Sequence, residues 1–269
     1  MFPDFIKYVD KYFIKKPRFR RFVNNLIVPK GETNIELAGA IIRINNQREH
    51  GYFRSAKMSR TSSFFRDELY NLISLAALLE KGDTFIDIGA NVGVYSCILS
   101  KLSPIKKVQY YAFEANPDTF KRLEYNCKQY GITSQNVAIS DQCGSLTFVE
   151  GAVSHVFTTI DRSNSYNIKT EAVQVEAKTL DSLEINGKRF ILKIDVEGQE
   201  MNVIKGAKKM FEDGKIKAVY IDGITNDNDR EDIFKLLTEN GFSLFDSHTM
   251  QDAIPTTFSL IAIKSIRNN

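Results

Sequence analysis

Thr84-Phe85-Ile86-Asp87-Ile88-Gly89-Ala90-Asn91-Val92-Gly93 is the stretch that decides how this chain folds. Its first five residues are apolar and partly β-branched, as in a buried strand, and the glycines that follow permit a tight turn whose backbone can approach a ligand. A helix opens near Val94, so its free N–H groups and positive dipole end face whatever lies over the glycines. The next apolar run, Val108 to Phe113, ends in Glu114, about 20 residues beyond the loop, where an acidic residue bonds ribose hydroxyls. A dinucleotide fingerprint would need a third glycine in G-x-G-x-x-G, and Gly89 to Gly93 lacks that spacing. A nucleoside without a pyrophosphate, as in S-adenosylmethionine, is the better match.

A second motif, Lys193-Ile194-Asp195-Val196-Glu197-Gly198, follows the apolar strand Phe190 to Ile194. Asp195 stands at the carboxyl end of that strand, in the crevice where open α/β sheets bind ligands. A period of two points Lys193 and Asp195 to one face. Asp195 is the candidate for positioning an acceptor hydroxyl or taking its proton, with Lys193 ordering its carboxylate. Glu197 and His155 are further candidate bases, and Glu197 also a candidate for the cofactor's amino group. The structural alternative is a buried ion pair that fixes the strand end. Asp195 and Asp222, at the ends of neighbouring strands, also raise the possibility of magnesium, although two carboxylates are a thin ligand set.

Ser134 to Ile139 reads as the third strand. Adenine lies over the end of that strand in such sheets, so Asn136 or Val137 would line the base. Asp141 would accept from its amino group, or else serve as a turn residue bonded to its own backbone. Leu146 to Val149 and Ala172 to Val175 alternate like antiparallel strands. The long polar loop between them, carrying Ser154, His155, Arg162 and Asn164, is the first choice for acceptor recognition. The helix near Arg66 to Leu79 is expected to bury Leu69, Leu72, Ile73, Ala76 and Leu79, and a single helix is expected from Glu200 to Phe211. Tyr52, Phe53 and Arg54 form a group that could roof the site. No helix separates the last two strands, so the last must run antiparallel to its neighbour.

Phe85 to Gly93, Ala112 to Pro117, Asn136 to Asp141, Thr179 to Leu183 and Leu192 to Glu200 together resemble the FkbM-type methyltransferases, which depend on S-adenosylmethionine. The blocks occur in the family's order from about Arg66 onward. Ala115 stands where the family usually has Pro, and Asp222 where it more often has Glu. The resemblance implies an α/β, Rossmann-like class I methyltransferase, with a seven-stranded, mostly parallel sheet whose last strand is antiparallel. The expected cofactor set is Asp87, Gly89, Asn91, Gly93, Glu114, Asn136, Val137, Asp141 and Asp195. The implied reaction is O-methylation of a sugar hydroxyl on a glycan or glycosylated metabolite. Two other functions compete. A nucleic-acid methyltransferase is opposed by the lack of an [ND]-P-P-[YF] motif and of a continuous basic surface. A non-catalytic scaffold is opposed by the intact Asp87, Gly89, Glu114 and Asp195.

With 269 residues and 43% hydrophobic side chains, one substantial core suffices. Residues 66–269 are expected to form the cofactor domain and residues 1–65 a helical and stranded N-terminal extension. A net charge of +3 implies no nucleic-acid partner. Cys97, Cys127 and Cys143 are too few and too scattered for a disulfide framework or zinc site, which fits a reducing, cytoplasmic setting. No apolar run approaches the ~18 residues of a membrane span. Basic residues crowd the first stretch beside Phe5, Ile6, Val9, Tyr12 and Phe13, a pattern of short amphipathic helices. Such helices suit docking on the core, a homo-oligomer contact or peripheral attachment to an anionic membrane.

Overall fold

A computed structural model describes residues 28–57, 64, 68–102, 107–150, 157–159, 172–224 and 227–264. The amphipathic helices read from residues 1–27, and Ser154, His155, Arg162 and Asn164 of the polar loop, lie outside them. The first described elements are an antiparallel hairpin, β1 (Glu32–Leu37) and β2 (Ala40–Asn45), then α1 (His50–Lys57) and α2 (Leu69–Leu78). Ala38 and Gly39 at the hairpin turn both have positive φ, 45° and 82°, the two-residue turn whose twist matches that of the strands. Helix α2 buries Leu72 and Leu75, and Leu79 is buried just beyond it, but Ile73 stands 57% exposed. Adjacent helical positions lie ~100° apart. Once Leu72 and Leu75 take the core, Ile73 is turned outside their arc.

Next come β3 (Thr84–Ile88), α3 (Val94–Leu102), β4 (Gln109–Phe113), α4 (Pro117–Gln129) and β5 (Thr133–Gln135). Asn116 caps α4, its side chain accepting from the N–H groups of Asp118 and Thr119, with Pro117 at the first helical position. The third strand expected over Ser134 to Ile139 is split. Asn136 Nδ2 donates to the carbonyls of Glu114 and Ala115, at 2.8 and 3.0 Å, and the chain leaves the sheet there. Its continuation, β6 (Ala138–Ile139), joins a second sheet with β7 (Gly144–Glu150), β8 (Phe157–Thr159) and β9 (Ala172–Lys178), in the order β6-β9-β7-β8. Strands β7 and β9 pair antiparallel, as their alternation predicts.

The chain then forms β10 (Phe190–Ile194), α5 (Glu200–Lys205), α6 (Lys208–Glu212), β11 (Ile216–Ile221), α7 (Asp227–Glu239), β12 (Phe242–Asp246) and β13 (Leu260–Lys264). The single helix expected from Glu200 to Phe211 is broken at Gly206, which packs so close to the Ser140 carbonyl that a Cβ would overlap it.

The main sheet has seven strands in the order β12-β13-β11-β10-β3-β4-β5. Strand β13 runs antiparallel to both β11 and β12, while the pairs among β11, β10, β3, β4 and β5 are parallel. This is the Rossmann-like class I methyltransferase sheet, with the last strand turned as the short connection requires. One apolar layer contains Ile35, Leu37, Ile42, Ile44, Leu72, Leu75 and Ile98, so the hairpin shares a core with the elements that follow it. The other contains Ile86, Ile88, Leu192, Ile194, Val203, Ile233 and Leu237. The hairpin is fastened further by polar contacts. The Asn126 amide bonds the Arg43 backbone at both N–H and carbonyl, and Arg122 meets Glu49 in a buried ion pair at 3.0 Å. Among the described residues no helix is long and apolar enough to cross a membrane.

Candidate active site

The two sequence motifs meet at one lysine. Lys193 lies in register with Asp87 across the β10–β3 pair, and its Nζ donates to Gly89 O at 2.9 Å while meeting Asp87 Oδ1 at 3.1 Å and Asp195 Oδ2 at 3.4 Å. An ammonium has three protons, so all three are committed. Burial opposes the charge on Lys193, but Asp87 and Asp195 outweigh it and hold its pKa above the ordinary lysine range. Asp87 uses its other oxygen to accept from Ser96 Oγ and N–H, at 2.7 and 3.3 Å. It therefore ties the glycine loop to α3 and does not line the crevice.

Glycine is required in the loop for two reasons. Gly89 has φ +71°, and a Cβ there would fall onto the Asp195 carbonyl oxygen, so the loop and the strand end are in direct backbone contact. Gly93 has φ +82°, and a Cβ would lie 2.8 Å from Leu123 Cδ1. Asn91 between them also adopts a left-handed backbone, φ +53°, which Asn tolerates better than most side chains.

Above this knot lies a crevice enclosing about 810 Å³, including the open solvent at its mouth. Glu114 stands in it with both oxygens engaged: Oε2 accepts from the Asn91 N–H and Oε1 from the Asn116 N–H, each at 2.8 Å. A carboxylate offers about four lone-pair sites, so each oxygen keeps one for a ribose hydroxyl. Burial raises the Glu114 carboxyl to about 7, against the pull of the two amides. Val137, Ile139, Leu146 and Phe148 supply an apolar wall of suitable character for a base. The last two come from β7 of the second sheet and carry no motif. Of the residues expected near adenine, Val137 lines the crevice, while Asn136 spends its amide on holding the backbone at the β4 end. Asp141 is exposed and accepts from Ser140 Oγ at 3.1 Å; Ser140 takes its place in the wall.

Asp195 forms the inner limit of this crevice and keeps 40% of its side chain exposed. Desolvation raises its pKa, opposed by Lys193 and reinforced by Asp222. Glu197 also lines the crevice, held by a left-handed backbone at φ +48°. Burial, with Asp195, Glu200 and Asp222 adding to it, lifts its carboxyl to about 7.

On the far side of Asp195, the Asp222 N–H donates to Ile194 O at 3.0 Å, which sets the ends of β10 and β11 side by side. Asp222 Oδ1 accepts from Ser259 Oγ at 2.6 Å. Among the described residues, no group of three or more His, Cys, Asp or Glu side chains is arranged to hold a metal ion. Lys193 Nζ lies 5.3 Å from the centroid of the Tyr95 ring, and that ring stacks on Tyr220 at 6.0 Å. Tyr52 reaches this region and donates its hydroxyl to Glu68 Oε2 at 3.3 Å, whereas Phe53 turns into the core. Tyr95 and Glu68 have no sequence signature. One sits in an ordinary helix stripe and the other precedes an apolar helix.

S-adenosylmethionine fits these residues. The backbone cradle at Gly89 leaves no room for a Cβ, Glu114 has lone pairs to spare, and an apolar wall faces it across the crevice. The family model for the methyltransferase FkbM domain matches residues 87–244. The hexuronic acid methyltransferase AglP of Haloferax volcanii is 30% identical over 166 residues, which cover 60% of this chain and 63% of that protein. The chain thus matches less than two thirds of that relative's length. Among solved structures, the methyltransferase FkbM from Methylobacillus flagellatus KT is similar with a TM-score of 0.50 and 14% identity, covering 72% of this chain and 47% of that one. At that identity the likeness speaks for the fold.

Proposed function

Because the chain belongs to the FkbM methyltransferase family, we propose that it moves the methyl group of S-adenosylmethionine to an oxygen of a sugar, in a glycan or glycosylated metabolite. The observation that carries the reading is the Lys193 knot, which joins the nucleoside crevice to a carboxylate still open to solvent. The hexuronic acid named for the Haloferax relative supports a sugar as the acceptor class.

The bound cofactor would supply an electrophilic methyl group on a sulfonium. The chain's own residues do the rest. Gly89 and Asn91 present backbone close to the nucleoside, Glu114 accepts from the ribose hydroxyls, and Val137, Leu146 and Phe148 exclude water from the base. Asp195, fixed by Lys193, would orient the acceptor hydroxyl for the transfer. Such orientation can supply ~7 kcal/mol or more of the barrier reduction, and a proton acceptor adds typically ~100-fold or more. Glu197 faces the same crevice and serves as a contact to the cofactor's amino group.

The test is to incubate the protein with S-adenosylmethionine and free hexuronic acids, sugar nucleotides and oligosaccharides, following the gain of one methyl group by mass spectrometry. Methylation of at least one sugar oxygen is expected. Transfer only to nucleic acid or protein would refute the acceptor class.

A further inference from the structure

Phe258 belongs to none of the motifs, yet it stands 61% exposed beside the strand ends that carry the acids of the site. A single exposed apolar side chain is ordinary on a protein surface. What sets this one apart is how it is held. The chain before β13 is pinned to the end of β11: the Ile224 N–H donates to Phe258 O at 3.0 Å, the Gly223 N–H to Ser259 Oγ at 3.2 Å, and Ser259 Oγ to Asp222 Oδ1 at 2.6 Å. One edge of the ring rests on Gly223, where a Cβ would come within 3.3 Å of the Phe258 Cζ.

The position of the ring follows from register. Ile194 pairs with Ile221 across β10 and β11, and Ile221 with Leu260 across β11 and β13. The first pairing continues one step through the Asp222 N–H to Ile194 O, and the second through the Ser259 hydroxyl to Asp222, so Asp195, Asp222 and Ser259 stand side by side. Strands lie ~4.8 Å apart, which sets Phe258 two spacings, about 10 Å, to the side of Asp195. Asp222 fills the interval. It is half-buried, and its Oδ2 makes no hydrogen bond among the described residues. Neither Asp222 nor Phe258 lines the nucleoside crevice, whereas Asp195 does.

We propose that Phe258 and Asp222 form a subsite for the sugar unit next to the one being methylated, so that the acceptor is a chain of at least two sugars; the inference rests on the sugar-methylation reading above. A pyranose carries C–H groups on one face and hydroxyls around its rim. The C–H face is attracted to the negative face of an aromatic ring, and an open carboxylate oxygen accepts from the rim hydroxyls. A ring already fixed by the backbone around it loses little freedom when a ligand lands on it. Asp195 and Asp222 together disfavour an anionic sugar on this side, so the unit held here is neutral. The offset of two strand spacings assigns the ring to a neighbouring unit, because the hydroxyl that Asp195 orients belongs to the unit beside Asp195 itself.

The experiment compares free hexuronic acids with disaccharides that extend each by one neutral hexose, on wild type, Phe258→Ala, Phe258→Tyr and Asp222→Asn. Wild type should methylate a disaccharide with a KM ~10-fold below that of its single sugar, equivalent to ~1.4 kcal/mol. Phe258→Ala should raise the disaccharide KM by about that factor while kcat, the single-sugar KM and S-adenosylhomocysteine affinity stay within ~3-fold. Phe258→Tyr keeps the ring and should keep the preference, and Asp222→Asn, which still accepts from Ser259, should lose part of it. A second readout needs no turnover. The chain contains no tryptophan, so Phe258→Trp places a single indole at the subsite, and its emission should shift saturably with disaccharide but not with S-adenosylhomocysteine alone. Equal KM for one and two sugars in wild type, or a preference that survives Phe258→Ala, would overturn the inference and leave sugar methylation standing. If no sugar is methylated, the acceptor class fails on its own, and the Phe258→Trp titration decides the subsite: a saturable shift upholds it and a silent indole overturns it.

Discussion

The two sides of Asp195 are held by different means. On the nucleoside side the constraints run through the backbone. Gly89 lies against the Asp195 carbonyl, Lys193 against the Gly89 carbonyl, and Glu114 against the N–H groups of Asn91 and Asn116. On the other side the contacts run through side chains from separate elements: Tyr52 bonds Glu68, Tyr95 lies against Lys193, and Asp222 accepts from Ser259. A backbone constraint restricts which residue can occupy a position, so it leaves a motif. A side chain placed by tertiary packing leaves none. The nucleoside side should therefore tolerate almost no change in its loop, whereas changes on the other side should alter chemistry and spare cofactor affinity.

The largest effect is expected at Gly89. In Gly89→Ala the new Cβ meets a backbone oxygen on an adjacent buried strand, and the left-handed conformation adds ~1–2 kcal/mol of strain. Loss of S-adenosylhomocysteine binding by ~1,000-fold or more, equivalent to ~4 kcal/mol, or outright loss of the folded state is expected. Calorimetry and circular dichroism distinguish the two. Near-normal affinity in a folded Gly89→Ala would break the contrast, since the backbone contact would then constrain nothing.

Asp195→Asn comes next and tests the shared residue. It keeps the size and one acceptor while removing the charge that Lys193 faces. Turnover should fall by ~100-fold or more, with S-adenosylhomocysteine affinity changed by less than ~3-fold. A collapse of thermal stability with no folded protein left would instead make the Lys193–Asp195 pair structural, the alternative already evident in the sequence.

Glu114→Ala should weaken S-adenosylhomocysteine binding by ~1.5–3 kcal/mol, the range for hydrogen bonds to a charged group. The wild-type pH dependence has a definite sign. The ionised carboxylate accepts both ribose hydroxyls, and its pKa in the free protein is raised to about 7, so affinity should rise as pH increases through that value. Binding below it should release a proton, visible as a buffer-dependent heat. The same shift acts oppositely on stability. The folded state holds a proton that the unfolded chain, with an ordinary Glu pKa of about 4.3, has lost, so this contribution falls as pH rises from there to about 7. A pH-independent affinity that is also unchanged in Glu114→Ala would remove Glu114 from the ribose.

The same contrast explains what the sequence made legible. The strands β3, β4, β10 and β11, the antiparallel β13 and the Gly89–Glu114–Asp195 framework follow from apolar runs, glycines and strand-end acids. The split of Ser134 to Ile139 does not, because it depends on the Asn136 amide reaching carbonyls more than twenty residues earlier. The Gly206 break likewise lies against the Ser140 carbonyl, a close approach between segments far apart in the chain that no local pattern announces. Asp141 drops out of the crevice for the same reason. A place over the adenine requires a continuous third strand, and the chain leaves the main sheet at Asn136. Leu146 and Phe148 follow a strand alternation, and nothing local marks them as part of a ligand wall.

The smallest expected effect lies at Glu197, on the boundary between the two sides. Its left-handed backbone at φ +48° is unusual for a long, Cβ-bearing side chain, and Gly198 after it also has positive φ, +89°. Such a conformation costs ~1–2 kcal/mol in a non-glycine residue and persists where the surroundings enforce it. The enforcement is visible in this turn, since the Gly198 N–H donates to Glu200 Oε1 at 2.7 Å. Glu197→Gly should relieve the strain, offset by the greater freedom of glycine in the unfolded chain. It should also remove a carboxyl held near 7 by burial and acidic neighbours, and together these should raise the melting temperature by ~2–4 °C, as for ~1 kcal/mol in a domain of this size. If the Glu197 carboxylate contacts the cofactor's amino group, S-adenosylhomocysteine affinity should fall by ~10-fold in the same variant. Higher stability with weaker binding would mark the strain as maintained for the ligand, whereas higher stability with unchanged binding would move Glu197 off the cofactor and leave its carboxylate to the acceptor side.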